Sequence, residues 1–232
     1  MTVEENKLAD YVKDYPALLN FLERVGIKLG FRDKSIKQIC QELDLDIPFV
    51  IDLMMLIINR EDFNPNYLDN YKIDHTINYL RNSHRSYVFD YIPEIESLIQ
   101  QLSEVEKNRE ADSKLLMMYF RDYKDEFVKH IQHEDAVIFP YIMELSSHNQ
   151  QNSNKASKPV TEYMQAHDNL DEKLEDLKNL LIRYFKPFDN TKIIMNIIKL
   201  LFDMEEDLII HELIENKILF PKAQILENQY SI

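Results

Sequence analysis

The chain has 232 residues, enough for one domain or for a large domain with a small companion. It contains only two glycines, so the tight turns and bulges of a β-sandwich or barrel lack their usual residue, and an all-α fold is expected. A formal net charge of −14, from 27 basic and 41 acidic residues, repels phosphate backbones and anionic membrane surfaces. We therefore expect neither nucleic acid nor a membrane as a partner.

The start of the chain and its single cysteine indicate a reducing compartment. Residues 1–16 are acidic and lack the basic segment and the following apolar segment of a signal peptide. Cys40 has no second cysteine with which to form a disulfide or a thiolate metal site. The most apolar run, 47–58, has twelve residues with Asp52 inside it, whereas about 20 residues are needed to span a bilayer. This run is predicted to be a core helix, and the protein is predicted to be cytoplasmic.

Residues 1–60 are predicted to form a small helical N-terminal domain. Short apolar segments at helical spacing occur there, and Ser35 is a candidate N-cap for a helix over 36–43. The next segment, NREDFNPNYLDN (59–70), carries four asparagines and a proline without a helical apolar period, which is typical of a linker. We therefore predict a linker over 61–70.

Residues 71–232 are predicted to form a four-helix bundle. A polar loop over 146–158 and shorter connections separate four long stretches, which favours an up-down-up-down order. Pro93 lies inside the first stretch, and because it removes a backbone hydrogen bond there, a kink or break is predicted at 89–93. The stretches with apolar residues at three- and four-residue spacing are 71–103, 111–145, 159–184 and 191–227.

An internal repeat singles out a small set of polar residues. Two segments share the pattern H-x3-E-x4-F-P, and they begin 81 residues apart, at His130 and at His211. A further histidine precedes each copy at a similar distance: His84 lies 46 residues before the first copy, and His167 lies 44 residues before the second. The chain is therefore predicted to contain two helical hairpins, each with one histidine on its first helix and a His/Glu pair on its second. The repeated residues are His84, His130, Glu134, His167, His211 and Glu215.

These residue types at this spacing suit a pair of metal ions. Positions i and i+4 lie about 40° apart around a helix, so the histidine and glutamate of each copy project from one face. Imidazole and carboxylate are usual ligands of iron, and bundle cores build two-metal sites from facing helices. If each glutamate bridges two Fe ions, and one oxo or hydroxo group is shared, each ion has five ligands. The remaining open position favours a site that reacts with nitric oxide or dioxygen.

The other histidines and the cysteine are assigned different roles. His133 lies one turn from the repeated His130, but its counterpart in the second copy is Ile214, so His133 is not expected to be a ligand. His75 lies nine residues before His84, about 180° around a helix, so the two cannot face one site. Cys40 has apolar neighbours at helical spacing and is predicted to be a buried, inert thiol.

The segments around these residues resemble one protein family. His84 within YLRNSHRSYVFDYIPEIE, His167 within MQAHDNL, and the two copies of the repeat ending in IFP and LFP are similar to the ligand motifs of hemerythrin-like (HHE cation-binding) proteins of the iron–sulfur cluster repair di-iron type. The resemblance spans nearly the whole chain. It implies a non-haem, carboxylate-bridged di-iron centre in a four-helix bundle, with the six repeated residues as ligands. It also implies nitric oxide chemistry and the repair of clusters damaged by nitrosative or oxidative stress.

The N-terminal segments FLERVGIKLGF and KSIKQICQELDLD resemble the small N-terminal domain of the same family. This chain departs from the family pattern at one point. Many members carry an adjacent cysteine pair after the Gly-Ile, whereas Lys28 and Leu29 stand there in this chain. A role that passes through that cysteine pair is therefore not expected.

The sequence leaves three hypotheses for the function of the protein. The leading hypothesis is a di-iron protein that binds or reduces nitric oxide, or services damaged iron–sulfur clusters. The alternative is a sensor or oxygen-binding module that binds a gas without turnover, and the motif does not separate these two. A third is an acidic helical interaction protein whose histidines only pack. The third is disfavoured, because six ionisable groups in one bundle core without a metal would leave costly unpaired charge.

Overall fold

The computed structural model describes residues 2–60, 72–147 and 168–230. Within these ranges every regular element is helical and no strand is formed, which confirms the all-α prediction. Over the same ranges, each helix is too short or too polar to cross a membrane. The α-helices are α1 (Leu8–Asp14), α2 (Leu18–Arg24), α3 (Ile36–Leu43), α4 (Ile47–Ile58), α5 (Ile73–Ser86), α6 (Ile92–Val105), α7 (Glu110–His133), α8 (Phe139–Ser146), α9 (Asp168–Asn179), α10 (Thr191–Ile214) and α11 (Phe220–Tyr230). The π-helical turns are π1 (Tyr87–Tyr91), π2 (Glu134–Ile138), π3 (Leu180–Tyr184) and π4 (Glu215–Leu219).

The chain divides into two compact units. The first contains Met1–Asn82 together with Glu212–Lys222, and the second contains Ser83–His211 together with Ala223–Ile232. The predicted linker over 61–70 lies outside the described residues. The predicted domain boundary at that segment therefore stays a prediction.

Helices α1 to α4 belong to the first unit, and side chains cap two of them. Ser35 caps α3 as predicted: its hydroxyl accepts the backbone N–H of Gln38, and its own N–H donates to the Gln38 side chain. Asp46 caps α4 by accepting the N–H of Phe49 at 2.9 Å. Cys40, in α3, is 1% exposed, in agreement with the predicted buried thiol.

The core of the second unit is built from the four long helical stretches predicted for the bundle. Burying a Leu, Ile or Phe side chain contributes about 1.5–3 kcal/mol, so this cluster is the main source of the unit's stability. The regular spacing of these buried side chains along each helical stretch confirms the predicted helical bundle. The cluster comprises Tyr87, Ile92, Ile95, Ile99 and Leu102; Leu116, Phe120, Tyr123, Phe127 and Ile131; Leu174, Leu177 and Leu181; and Ile197, Leu201 and Met204. Phe188, from the connection between π3 and α10, completes it.

Three of the π turns occupy the same position relative to a proline. Pro93, Pro140 and Pro221 each stand six residues after the first residue of π1, π2 and π4. In each case the residue before the proline donates its N–H to the carbonyl five positions back. A proline inside a regular α-helix would collide with the carbonyl four residues before it, and the wider turn relieves this collision. The break predicted at 89–93 is therefore a π turn, after which the helix continues as α6.

Candidate metal centre

Glu134, the first residue of π2, lies on the same face as the stripe of buried apolar side chains in α7. Leu116, Phe120, Tyr123 and Phe127 follow one another at four- and three-residue spacing, and none is more than 3% exposed. Glu134 comes seven residues after Phe127, two helical turns further along the same face, and is 1% exposed. A carboxylate therefore stands where the pattern would otherwise place an apolar side chain. This arrangement is costly unless a positively charged partner or hydrogen-bond donors are supplied.

Histidines from three helices surround this carboxylate. Nε2 of His84, in α5, lies 3.2 Å from Oε2 of Glu134. Nε2 of His211, in α10, lies 2.9 Å from Nε2 of His84. The ligand atoms of these three buried residues all lie within 4.8 Å of one another. Nε2 of His130, in α7, lies 3.0 Å from Oε1 of Glu134, so the two carboxylate oxygens face different imidazoles.

This set of atoms fits a metal ion. Two imidazole nitrogens 2.9 Å apart can share only one proton between them, so a lone pair of at least one points toward the other ring. A cation among these nitrogen and oxygen atoms would satisfy them together, and iron accepts this mixture of ligands. Across the described residues, His84, Glu134 and His211 are the one group of three or more His, Cys, Asp or Glu whose ligand atoms converge.

The charges of the cluster depend on one another. Burial opposes ionisation of the Glu134 carboxyl, but the imidazoles of His130 and His84 outweigh it and hold the pKa of that carboxyl below its usual range. Burial likewise disfavours the protonated form of His84, yet the Asp135 and Glu134 carboxylates prevail and raise the pKa of its imidazole. Glu134 is therefore ionised at neutral pH, which is the form in which a carboxylate binds metal.

Aromatic rings fix the orientation of two of the histidines. The Phe139 ring stacks on the His84 ring, with centroids 5.5 Å apart and planes 9° apart. The Tyr87 ring meets the His211 ring edge-on at a centroid distance of 5.9 Å. Phe139 and Tyr87 are both fully buried, so they keep water away from these faces. Phe139 is the phenylalanine of the first F-P pair, so the repeat includes a residue that packs on the site.

One neighbour of the cluster is not part of the repeat. Oδ1 of Asp135 lies 3.1 Å from Nδ1 of His84, the ring nitrogen that does not face Glu134. Sequence reasoning missed Asp135 because its counterpart in the second copy is Asn216. The sequence did offer one indication that Asp135 lies near the site, because it directly follows the candidate ligand Glu134.

The remaining predicted ligands are described in part. Glu215 is 0% exposed and is the first residue of π4, as Glu134 is of π2. His167 lies outside the described residues. The assignment of the whole six-residue set as ligands stays a prediction. Of the histidines assigned other roles, His133 is exposed, and His75 packs against an aromatic ring of α4 at a centroid distance of 5.7 Å.

Comparison with known proteins gives two kinds of match. A family model described as the hemerythrin HHE cation binding domain matches residues 75–223, more than half of the chain, and this range includes all six predicted ligands. The iron-sulfur cluster repair protein ScdA of Staphylococcus haemolyticus (strain JCSC1435) is 22% identical over 225 residues, which cover 96% of this chain and 99% of that protein. Proteins of the same name from two strains of Staphylococcus epidermidis are 20% identical over 228 residues, covering 96% of this chain and 100% of theirs.

Proposed function

The chain belongs to the hemerythrin HHE cation-binding domain family, and from this premise we propose that it is a non-haem di-iron protein that binds or reduces nitric oxide or dioxygen in the repair of damaged iron–sulfur clusters. The observation that carries the proposal is the buried cluster of His84, Glu134 and His211. Two imidazoles and a carboxylate that converge inside a helical unit call for a cation, and the family is named for cation binding.

The six repeated residues supply enough ligands for two ions. The oxygens of Glu134 face His84 and His130 separately, at 3.2 and 3.0 Å, which suits a carboxylate that bridges two ions. An iron pair held there would supply one-electron redox steps and an open coordination position for a small gas. The proposed ligands are His84, His130, Glu134, His167, His211 and Glu215.

Burial of the cluster favours a gas as the reacting molecule. The side chains of His84 and Glu134 are each 2% exposed, whereas that of His130 is 16% exposed. Of these three side chains, His130 is therefore the one that solvent reaches most. Such a site admits diatomic molecules more readily than larger substrates, while Phe139 and Tyr87 keep the histidine rings in place.

The repair role is supported by similarity. The Staphylococcus relatives are named for iron–sulfur cluster repair and align along nearly their whole length, so we propose damaged iron–sulfur proteins as the physiological partners. Cys40 has no place in this proposal. It is 1% exposed, and burial, with a contribution from Asp46, raises the pKa of its thiol to about 11, so the reactive thiolate is scarce at neutral pH.

Anaerobic mixing of the reduced, iron-loaded protein with nitric oxide tests the proposal. Reductase activity would convert two molecules of nitric oxide, two electrons and two protons into one molecule each of nitrous oxide and water, and gas analysis would detect the nitrous oxide. A spectral change without nitrous oxide would favour a gas sensor. No response to nitric oxide, together with reversible uptake of dioxygen, would contradict nitric oxide handling and leave an oxygen-binding protein.

A further inference from the structure

A carboxylate outside the repeat contacts one of the repeated histidines. Oδ1 of Asp135 lies 3.1 Å from Nδ1 of His84. Nε2 of the same ring lies 3.2 Å from Glu134 and 2.9 Å from His211. One ring nitrogen therefore faces the cluster and the other faces Asp135. This is a close contact rather than a well-aligned hydrogen bond.

This inference rests on the proposed metal centre. We propose that Asp135 is a positioning residue that orients the His84 ring and keeps the proton of the neutral imidazole on Nδ1, so that the lone pair of Nε2 points at the cluster. A neutral imidazole carries a single N–H, and an adjacent carboxylate favours the form in which that N–H faces it. Histidines that bind metals commonly give their second nitrogen such a partner, which fixes the ring and strengthens it as a ligand.

The π2 turn presents two consecutive carboxylates to the same imidazole. Glu134 and Asp135 are its first two residues, and each contacts a different nitrogen of His84. The side chain of Glu134 is 2% exposed and that of Asp135 is 38% exposed, so one approaches from the core and the other from the solvent side. Phe139 stacks on the ring face. These three contacts together set both the plane and the rotation of the His84 ring.

The second copy of the repeat differs from the first at the position of this carboxylate. Asn216 stands at the position that corresponds to Asp135. An amide carries no charge and holds an imidazole N–H less strongly than a carboxylate does. The two copies therefore differ in the residue that follows the glutamate, and Asp135→Asn makes the first copy like the second at this point.

Iron(II) affinity tests the role of Asp135 in the full-length protein. Asp112→Asn is a matched control, because Asp112 is 36% exposed and is ion-paired with Arg109 in the same unit. Measured by competition with a chelator, the affinity should fall about 10- to 100-fold in Asp135→Asn and recover at least in part in Asp135→Glu. It should not change in Asp112→Asn. Because Asp135 is partly exposed, the thermal unfolding midpoint without iron should change no more in Asp135→Asn than in Asp112→Asn.

Nitrogen-15 NMR of the imidazoles gives a second reading that needs no metal. At pH 8 without iron, carboxylates face both nitrogens of the His84 ring, and Asp135→Asn should lower the share of protons carried by Nδ1 relative to the wild type. Wild-type iron affinity and an unchanged tautomer in Asp135→Asn would overturn the inference. A wild-type protein that binds no iron would overturn the proposed function instead, and the position of the His84 proton would still decide the role of Asp135.

Discussion

Replacing Glu134 by glutamine separates its contribution to metal binding from its contribution to folding. The side chain is 2% exposed, and glutamine fills nearly the same volume, so no cavity is created. The amide offers a donor and an acceptor to His84 and His130 but lacks the negative charge. Removing a buried charge also removes the cost of its desolvation. Burial opposes ionisation of Glu134, but His130 and His84 outweigh it and lower the pKa of the carboxyl, so the carboxylate stabilises the folded protein at pH 8. We therefore expect the free energy of unfolding without iron to fall, but by less than the loss of a large core side chain costs.

The expected effect on iron binding is measured separately, as the difference in stability with and without iron. Loss of a carboxylate that only supports a metal ligand commonly lowers affinity 10- to 100-fold, and a carboxylate inside the cluster should matter at least as much. A 100-fold loss corresponds to about 2.8 kcal/mol. At an iron(II) concentration 100 times the wild-type Kd, binding raises the free energy of unfolding of the wild type by about 2.7 kcal/mol. The same concentration would equal the Kd of Glu134→Gln and raise its free energy of unfolding by only about 0.4 kcal/mol.

Anaerobic urea unfolding with and without iron(II) measures both quantities. Phe127→Ala is the control for ordinary core damage, because Phe127 lies on the same stripe of α7 and is 3% exposed; it should cost about 3–5 kcal/mol with or without iron. His133→Gln, at the exposed position next to Glu134, should match the wild type in both conditions. Full iron-dependent stabilisation of Glu134→Gln would refute this expectation. So would a loss of stability without iron as large as that of Phe127→Ala.

Substitutions elsewhere test the ligand set and the thiol. His130→Ala should lower the iron content of the purified protein and His133→Ala should not, because His130 lies 3.0 Å from Glu134; the reverse result would refute the ligand set. Cys40→Ser should leave the iron content and the optical spectrum unchanged, and loss of iron would show that the thiol takes part in the site. In the folded wild type, Cys40 should react with thiol reagents at pH 8 far more slowly than in the unfolded chain. Burial raises its pKa to about 11 and leaves about one thiol in a thousand ionised, so rapid labelling of the folded protein would contradict this prediction.

The residues that could be predicted from the sequence are those that the repeat marks twice. A histidine four residues before a glutamate is common on solvated helix faces, so either copy alone would have been weak support. Because His130 and Glu134 recur as His211 and Glu215, the repetition itself indicated that these residues share a function. The structure brings the ligand atoms of Glu134 and His211 together with those of His84, which the repeat had marked only by its distance along the chain.

Two features could not be predicted, for different reasons. Comparison of the two copies discards any position at which they differ, so Asp135, opposite Asn216, was passed over although it lies 3.1 Å from His84.

The π turns add one residue to a single helical turn, and the irregular three- and four-residue spacing of apolar side chains hides a shift of that size. The prolines of the two F-P pairs mark π2 and π4, yet a proline within a helical pattern predicts a kink or a break as readily as a π turn.

The iron content of protein purified without oxygen, after growth with ample iron, tests the di-iron centre most directly. We predict close to two iron atoms per chain, because the repeat provides four imidazoles and two carboxylates, enough for a bridged pair of ions. A content near one iron atom per chain, or protein that holds only zinc, would contradict a di-iron centre.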